Sequence, residues 1–413
     1  MPLVLTNCRM VTPHGVVHGW LAVDGPRPPD DGSQPQGGAD GPPQPGTPPW
    51  RNRCDRHDWR DWRDRRALRI LDMGALPCPH RRAVDLGGDH LLPGFVDIHT
   101  DAIERQFLPR PGVLWPAPLP AVMACDAQFA AAGITTAFDS LCAEAFPREE
   151  ARRRLFGDAV TSVARGMRMG LLSVRHLLHI RCETADPKVL DLFLSCIDLP
   201  EVRLVSLMDH TPGQRQYRDL ATYRRQYQGE GWDDGEFAGV LAVLRENQQR
   251  HAAPHRAAII AACRERSIPL ASHDDTTADH VRQAAAEGIG ICEFPTTLEA
   301  AREAKRCGMT TVMGAPNIVL GGSHSGNIPA LDVLRADCLD ILASDYAPAS
   351  MAEAVFLLHR EHGVPLPRCA ELTATNAARL LGLADRGSLT PGLLADFARI
   401  RLLDGAPVVL PCP

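Results

Sequence analysis

The chain has 413 residues, a formal net charge of −6 and a pI near 6.2, so it carries no bulk electrostatic footprint for nucleic acid. No apolar run reaches the roughly eighteen residues a membrane helix needs, and MPLVLTNCRMVTPHG lacks the basic start and apolar core of a signal peptide. Thirteen cysteines, an odd number without any C-x-x-C pair, fit neither a disulfide framework nor a zinc ribbon; reduced thiols in a cytoplasmic protein are expected.

In chain order, LVLTNCRMVTPHGVVHGWLAVDG alternates apolar and polar residues around glycine turns and predicts short antiparallel strands. From Gly25 to Pro49 proline and glycine dominate, a composition that buries too little apolar surface to fold. The stretch from Arg51 to Arg69 then alternates Arg and Asp around Trp59 and Trp62. Its plainer reading is a solvated surface insertion, its sharper one a basic, aromatic docking arm. Strand-like sequence resumes near RAVDLGGDHLLPGFVDIHTD.

From Phe95 onward eight apolar runs predict strands: FVDIHTD, TTAFDS, HLLHIRCE, LVSLMDH, PLASHDD, ICEFPTT, TVMGAPN and ILASDYA. Segments with helical periodicity, such as PREEARRRLFGDAVTSVARGM and APHRAAIIAACRERS, lie between them. Repeated β-then-α units over roughly 280 residues predict an α/β fold with a closed (β/α)8 barrel. An open doubly wound sheet is the alternative, but no G-x-G-x-x-G follows the first strand.

The runs share polar C-terminal ends. His99 and Asp101 end the first, and Glu183 ends the third after His179 and Arg181. Asp209 and His210 follow the fourth, His273, Asp274 and Asp275 the fifth, while Glu293 and Asp345 mark the sixth and eighth. In a parallel barrel these ends share one rim, where active sites of that fold sit. Any one of them alone suits a strand-end cap as well as a ligand. Their repetition favours a metal centre of imidazoles and carboxylates, with two ions more natural than one. Directly after the seventh run, GAPNIVLGGSHSGN is dense in glycine and donor side chains, which suits an anion. Gly321, Gly322, Ser323, His324, Ser325 and Asn327 are its candidate phosphate contacts, with Arg105, Arg110 and Arg181 as charged partners.

PGFVDIHTD, together with the distant NAARLLGLADRGSLTPGLLADFA, resembles the amidohydrolase superfamily. HTDAIERQFLPRPGV, DHTPGQRQ, SHDDTT, GAPNIVLGGSHSGN and SDYAPAS resemble its phosphonate-pathway (PhnM-type) branch, over nearly the whole barrel. The resemblance implies a metal-dependent barrel over 92–387 and a small β-sandwich from 1–24, 83–91 and 388–411, with 25–82 as an insertion outside both. It implies metal ligands at His99, Asp101, Glu183 (the bridging carboxylate), His210, His273 and Asp345, the last also the general base. Zinc is the expected metal, with manganese and iron as alternatives because Asp101 stands where relatives have a second histidine. The implied reaction converts α-D-ribose 1-methylphosphonate 5-triphosphate to the 5-phosphate and pyrophosphate in the carbon–phosphorus lyase pathway. A homodimer, and contact of the 25–82 segment with another pathway protein, are the partner expectations. The rival readings are an amidohydrolase cleaving a cyclic amide or N-acyl group, and a non-catalytic scaffold, which would be expected to have lost ligands.

Overall fold

The computed structural model describes residues 2–24, 68–110, 113–145, 149–213, 215–217, 220–226 and 232–412. Most of the Pro/Gly- and Arg/Trp-rich segment, and with it the expected partner contact, lies outside them. Each described cysteine is a free thiol, and no described helix is long and apolar enough to cross a membrane.

The chain starts in a sheet built from both ends. Strands β1 (Leu3–Thr12), β2 (Gly15–Val23), β3 (Ile70–Ala75), β4 (Val84–Asp85) and β5 (His90–Pro93) precede the barrel. β6 (Phe95–Thr100), β7 (Ile134–Ala143), β8 (Arg175–Glu183), β9 (Val202–Met208), β10 (Leu270–His273), β11 (Ile291–Glu293), β12 (Thr310–Gly314) and β13 (Ile341–Ala343) follow. β14 (Phe397–Leu403) and β15 (Ala406–Leu410) return to the first sheet. Its order is β15-β14-β5-β1-β2-β3, with β4 beside β1.

One boundary needs correction. The sequence reading leaves everything from 25 to 82 outside the sheet, yet Ile70–Ala75 pairs antiparallel with β2. Ile70 joins Leu5, Met10, Leu21 and Leu91 in that sheet's core. The two strands approach so closely that a Cβ on Gly19 would stand 2.0 Å from the Gly74 carbonyl oxygen. Backbone cannot yield as a side chain does. Gly19→Ala is therefore expected to destabilise the sheet by about 1–3 kcal/mol, the usual cost of overpacking, read as a lowered thermal midpoint.

All eight predicted runs become the barrel strands, adjacent in sequence order from β6 to β13. A parallel bridge between Thr100 and Asp345 joins the last strand to the first. Buried parallel strands read as apolar runs because both faces are covered. Inside, Val96, Ile98, Phe138, Leu204, Ala271, Ile291, Val312 and Ile341 fill the barrel, and Ala374, Ala377 and Leu381 close its lower end. Asn376 fixes that plug by donating Nδ2–H to the Asp340 carbonyl, 2.8 Å away, just before β13. Outside, Phe129, Phe156, Phe193 and Phe356 belong to the larger core between strands and helices. With the lower end plugged, ligand access is from the C-terminal rim.

Candidate active site

The rim holds a pocket of about 330 Å³. Its lining includes His99, Asp101, Arg105, Arg181, His210, His273, Asp274, Asp345 and the loop residues Gly322, Ser323, His324, Ser325 and Asn327. Arg110 and Gly321, expected as phosphate contacts, are not among the described lining residues.

Three histidines from three strand ends meet here. His99 Nδ1 donates to Glu293 Oε1 at 2.6 Å, and His273 Nδ1 donates to Glu293 Oε2 at 2.8 Å. One carboxylate thus orients two rings, which stack with centroids 5.7 Å apart. His210 sets its Nδ1 3.0 Å from Glu183 Oε2 and its Nε2 3.5 Å from Asp274 Oδ2. His273 Nε2 lies 3.5 Å from that same Asp274 oxygen. Two imidazoles therefore turn one nitrogen to a carboxylate and the other toward a common point, the arrangement that fixes tautomer and direction in metal-binding histidines.

Electrostatics agree with that role. Burial, reinforced by Arg181, pushes His99 well below the ordinary imidazole range, and burial takes His273 down to about 3 despite Glu293. Both rings are neutral at pH 7 and keep a lone pair free. Burial alone would also neutralise His210, but Asp274 and Glu183 on either side raise it to about 10. That spot demands positive charge. Burial, with Asp101 next, raises Asp345 to about 7.

The buried oxygens Asp101 Oδ1 and Asp274 Oδ2, and the buried His179 Nε2, have no hydrogen-bond partner among the described residues. Buried polar atoms are normally satisfied, so orphans gathered on a rim call for an ion. His99, His273 and Glu293 form one group able to hold a metal, and His210, His273 and Asp274 form another. The donor set fits the divalent ion that the fold implies.

His99, His210 and His273 come together, and Asp101 and Asp345 line the same pocket. Glu183, expected as the bridging carboxylate, lies against His210, its Oε2 3.0 Å from Nδ1, and accepts the His210 backbone N–H at 3.2 Å. Glu293 and Asp274 also lie beside the imidazoles. The signal for Glu293 was in the pairing, since parallel register sets it directly beside His273. Asp274, Phe294 and Asp345 have φ of 56°, 52° and 54°, an uncommon left-handed backbone that turns the chain just past three strands.

The loop after β9 clasps this centre. Arg215 Nη1 donates to the His273 carbonyl at 3.0 Å and to Asp275 Oδ1 at 2.7 Å. The Tyr217 ring packs edge-on to His210 at 5.7 Å, and Gln216 Nε2 reaches Ser325 Oγ at 3.5 Å. The histidines and the glycine-rich loop are thereby tied into one frame.

A parallel barrel with a second sheet from both chain ends and an imidazole–carboxylate rim defines the class as a barrel protein with a metal-competent site at its strand ends. Comparison with known proteins narrows the class. The chain is 40% identical over 318 residues to the α-D-ribose 1-methylphosphonate 5-triphosphate diphosphatase of Escherichia coli (strain K12), covering 76% of this chain and 84% of that protein. It belongs to that diphosphatase family. No family profile matches the chain. Among solved structures, N-acetyl-D-glucosamine-6-phosphate deacetylase from Mycobacterium smegmatis has a TM-score of 0.57 at 18% identity, over 99% of this chain and 98% of its own. The 5-methylcytosine deaminase from Klebsiella pneumoniae has a TM-score of 0.55 at 12% identity, over 96% and 91%. These two likenesses concern the fold.

Proposed function

We propose that this chain hydrolyses α-D-ribose 1-methylphosphonate 5-triphosphate to the 5-phosphate and pyrophosphate, as a step of phosphonate breakdown. The observation that carries this reading is one pocket joining a metal-competent floor to a donor-rich loop. An enzyme cleaving an uncharged cyclic amide would have no use for a second anion-binding wall of this kind.

His99, His210 and His273, with rim carboxylates such as Asp101, Asp274 and Asp345, would hold two divalent ions, while Glu293 orients the His99 and His273 rings from behind. Zinc suits the imidazoles, and the many carboxylate oxygens leave manganese and iron as alternatives. Bound divalent ions supply Lewis-acid polarisation of phosphoryl oxygens and ease the ionisation of water. The rest falls to the chain. Asp345 accepts the proton of the attacking water on its carboxylate as the new P–O bond forms. The bridging P–O bond breaks and pyrophosphate leaves with the bond's electron pair. Ser323, His324, Ser325 and Asn327 offer donors to the oxygens on which charge accumulates.

Chelation of the purified protein is expected to abolish pyrophosphate release, and added zinc or manganese to restore it. His273→Ala should weaken metal binding by about 100-fold, because the centre loses one of its three imidazoles; elemental analysis after dialysis reads this directly. Full turnover by metal-free protein, or cleavage of an N-acetyl sugar phosphate in preference to the triphosphate, would overturn the assignment.

A further inference from the structure

We propose that Tyr346 is a positioning residue that holds Arg105 and His324 as a clamp on the part of the substrate that leaves as pyrophosphate; this rests on the reaction proposed above. Three separate elements meet at this ring. Arg105 lies on the helix Ala102–Phe107 after β6, His324 on the glycine-rich loop after β12, and Tyr346 just beyond β13. The Arg105 guanidinium stands 5.6 Å from the Tyr346 centroid, within the range of a cation–π contact. The His324 ring meets Tyr346 edge-on at 5.4 Å and 86°. All three line the pocket.

What sets Arg105 apart is that its charge is uncommitted. Arg181, which also lines the pocket, is buried among Asp101, Glu293 and Glu104. Arg215 is bound to Asp275. Arg105 has no carboxylate partner among the described residues, and His324 has no hydrogen bond there, so both keep their donors for a ligand. A guanidinium packed on an aromatic face is already ordered, so less side-chain freedom is lost when an anion arrives.

The clamp also has a definite place. Arg105 and His324 are exposed at the mouth, whereas His99, His273 and Glu293 are buried at the floor. With the scissile bond at the floor, one arm of the substrate extends past the clamp. The pyrophosphate arm carries the greater charge, already in the bound substrate, and must depart to solvent. A guanidinium and an imidazole at the mouth match that arm best.

The test is calorimetric titration of inorganic pyrophosphate into the metal-loaded protein, with metal content measured before and after. Tyr346→Leu is expected to weaken pyrophosphate by about tenfold, and Tyr346→Phe, which keeps the ring, by less than about threefold. Arg105→Met and His324→Ala should each reproduce the loss. In steady state Tyr346→Leu should raise KM for the triphosphate about tenfold while kcat changes less than about threefold, the pattern of lost uniform binding. Methylphosphonate, a probe of the other arm, should bind Tyr346→Leu and wild type alike. Unchanged pyrophosphate affinity in Tyr346→Leu would overturn the clamp, as would a loss confined to methylphosphonate. If wild type binds pyrophosphate through Tyr346 but releases none from the triphosphate, the reaction assignment fails and the clamp stands.

Discussion

Asp345→Asn is expected to lower kcat by about 10²- to 10⁴-fold, the range of a lost general base, while the protein keeps its fold and its metal. The substitution is clean because of how the residue is held. Its backbone N–H donates to the His99 carbonyl at 2.9 Å, and its own carbonyl accepts from the Asp101 N–H at 3.1 Å and the Thr100 hydroxyl at 3.1 Å. Those bonds belong to the bridge between first and last barrel strands and survive any side-chain change. The φ of 54° is one that asparagine tolerates better than most residues, whereas alanine would add strain. Only the ability to take a proton is removed. Burial and Asp101 raise this carboxyl to about 7 in the protein without metal, and a divalent ion nearby would oppose that rise. The base must be ionised to act, so wild-type kcat/KM should fall with decreasing pH on an acid limb below about 7, and Asp345→Asn should lose that limb. Near-full turnover by a metal-loaded Asp345→Asn protein would remove Asp345 from the role of base.

The parts of this site that were legible in the sequence are those that depend on strand ends. Each barrel strand is an apolar run closed by polar residues, so His99, His210 and His273 could be placed on a common rim before any contact was known. The carboxylates were harder to allot, because a rim rich in Asp and Glu offers many partners. Which of them faces which imidazole depends on register and on the left-handed turns at Asp274 and Asp345, neither of which leaves a periodic trace. Glu183 and Glu293 illustrate this: both end barrel strands, yet one orients His210 and the other orients His99 and His273. Tyr346 was passed over for a similar reason, since its importance lies in two neighbours drawn from distant loops. In the second sheet, β3 went unread because a short edge strand with its outer residues exposed looks like the polar segment it follows.

The largest effect on stability is expected away from the pocket, at His176. The ring is fully buried, with Nδ1 2.7 Å from Asp139 Oδ2 and Nε2 3.2 Å from Asp126 Oδ1. Asp126, on the helix Pro118–Ala131, also accepts the backbone N–H of Ser173 at 2.9 Å and of Val174 at 2.8 Å, just before β8 begins. Helix, β7 and β8 are thus pinned at one imidazolium, beneath the strand that carries His179, Arg181 and Glu183 to the rim. Burial by itself would strip this ring of its proton, but the two aspartates outweigh it and raise the group from 6.5 to about 9. A group whose pKa is raised on folding stabilises the native state fully below its unfolded value and loses that contribution as pH climbs through the folded one. A rise of this size corresponds to about 3 kcal/mol, present below about pH 6.5 and lost through about pH 9. His176→Ala leaves two carboxylates buried without their cation, which costs about 3–5 kcal/mol when one partner of a buried pair is removed. Urea titrations at pH 6, 7.5 and 9 check both statements. The midpoint for wild type should fall across that window, and the midpoint for His176→Ala should start lower and stay flatter. Equal midpoints for the two proteins at pH 6 would show that the imidazolium contributes nothing to holding the helix and the two strands together.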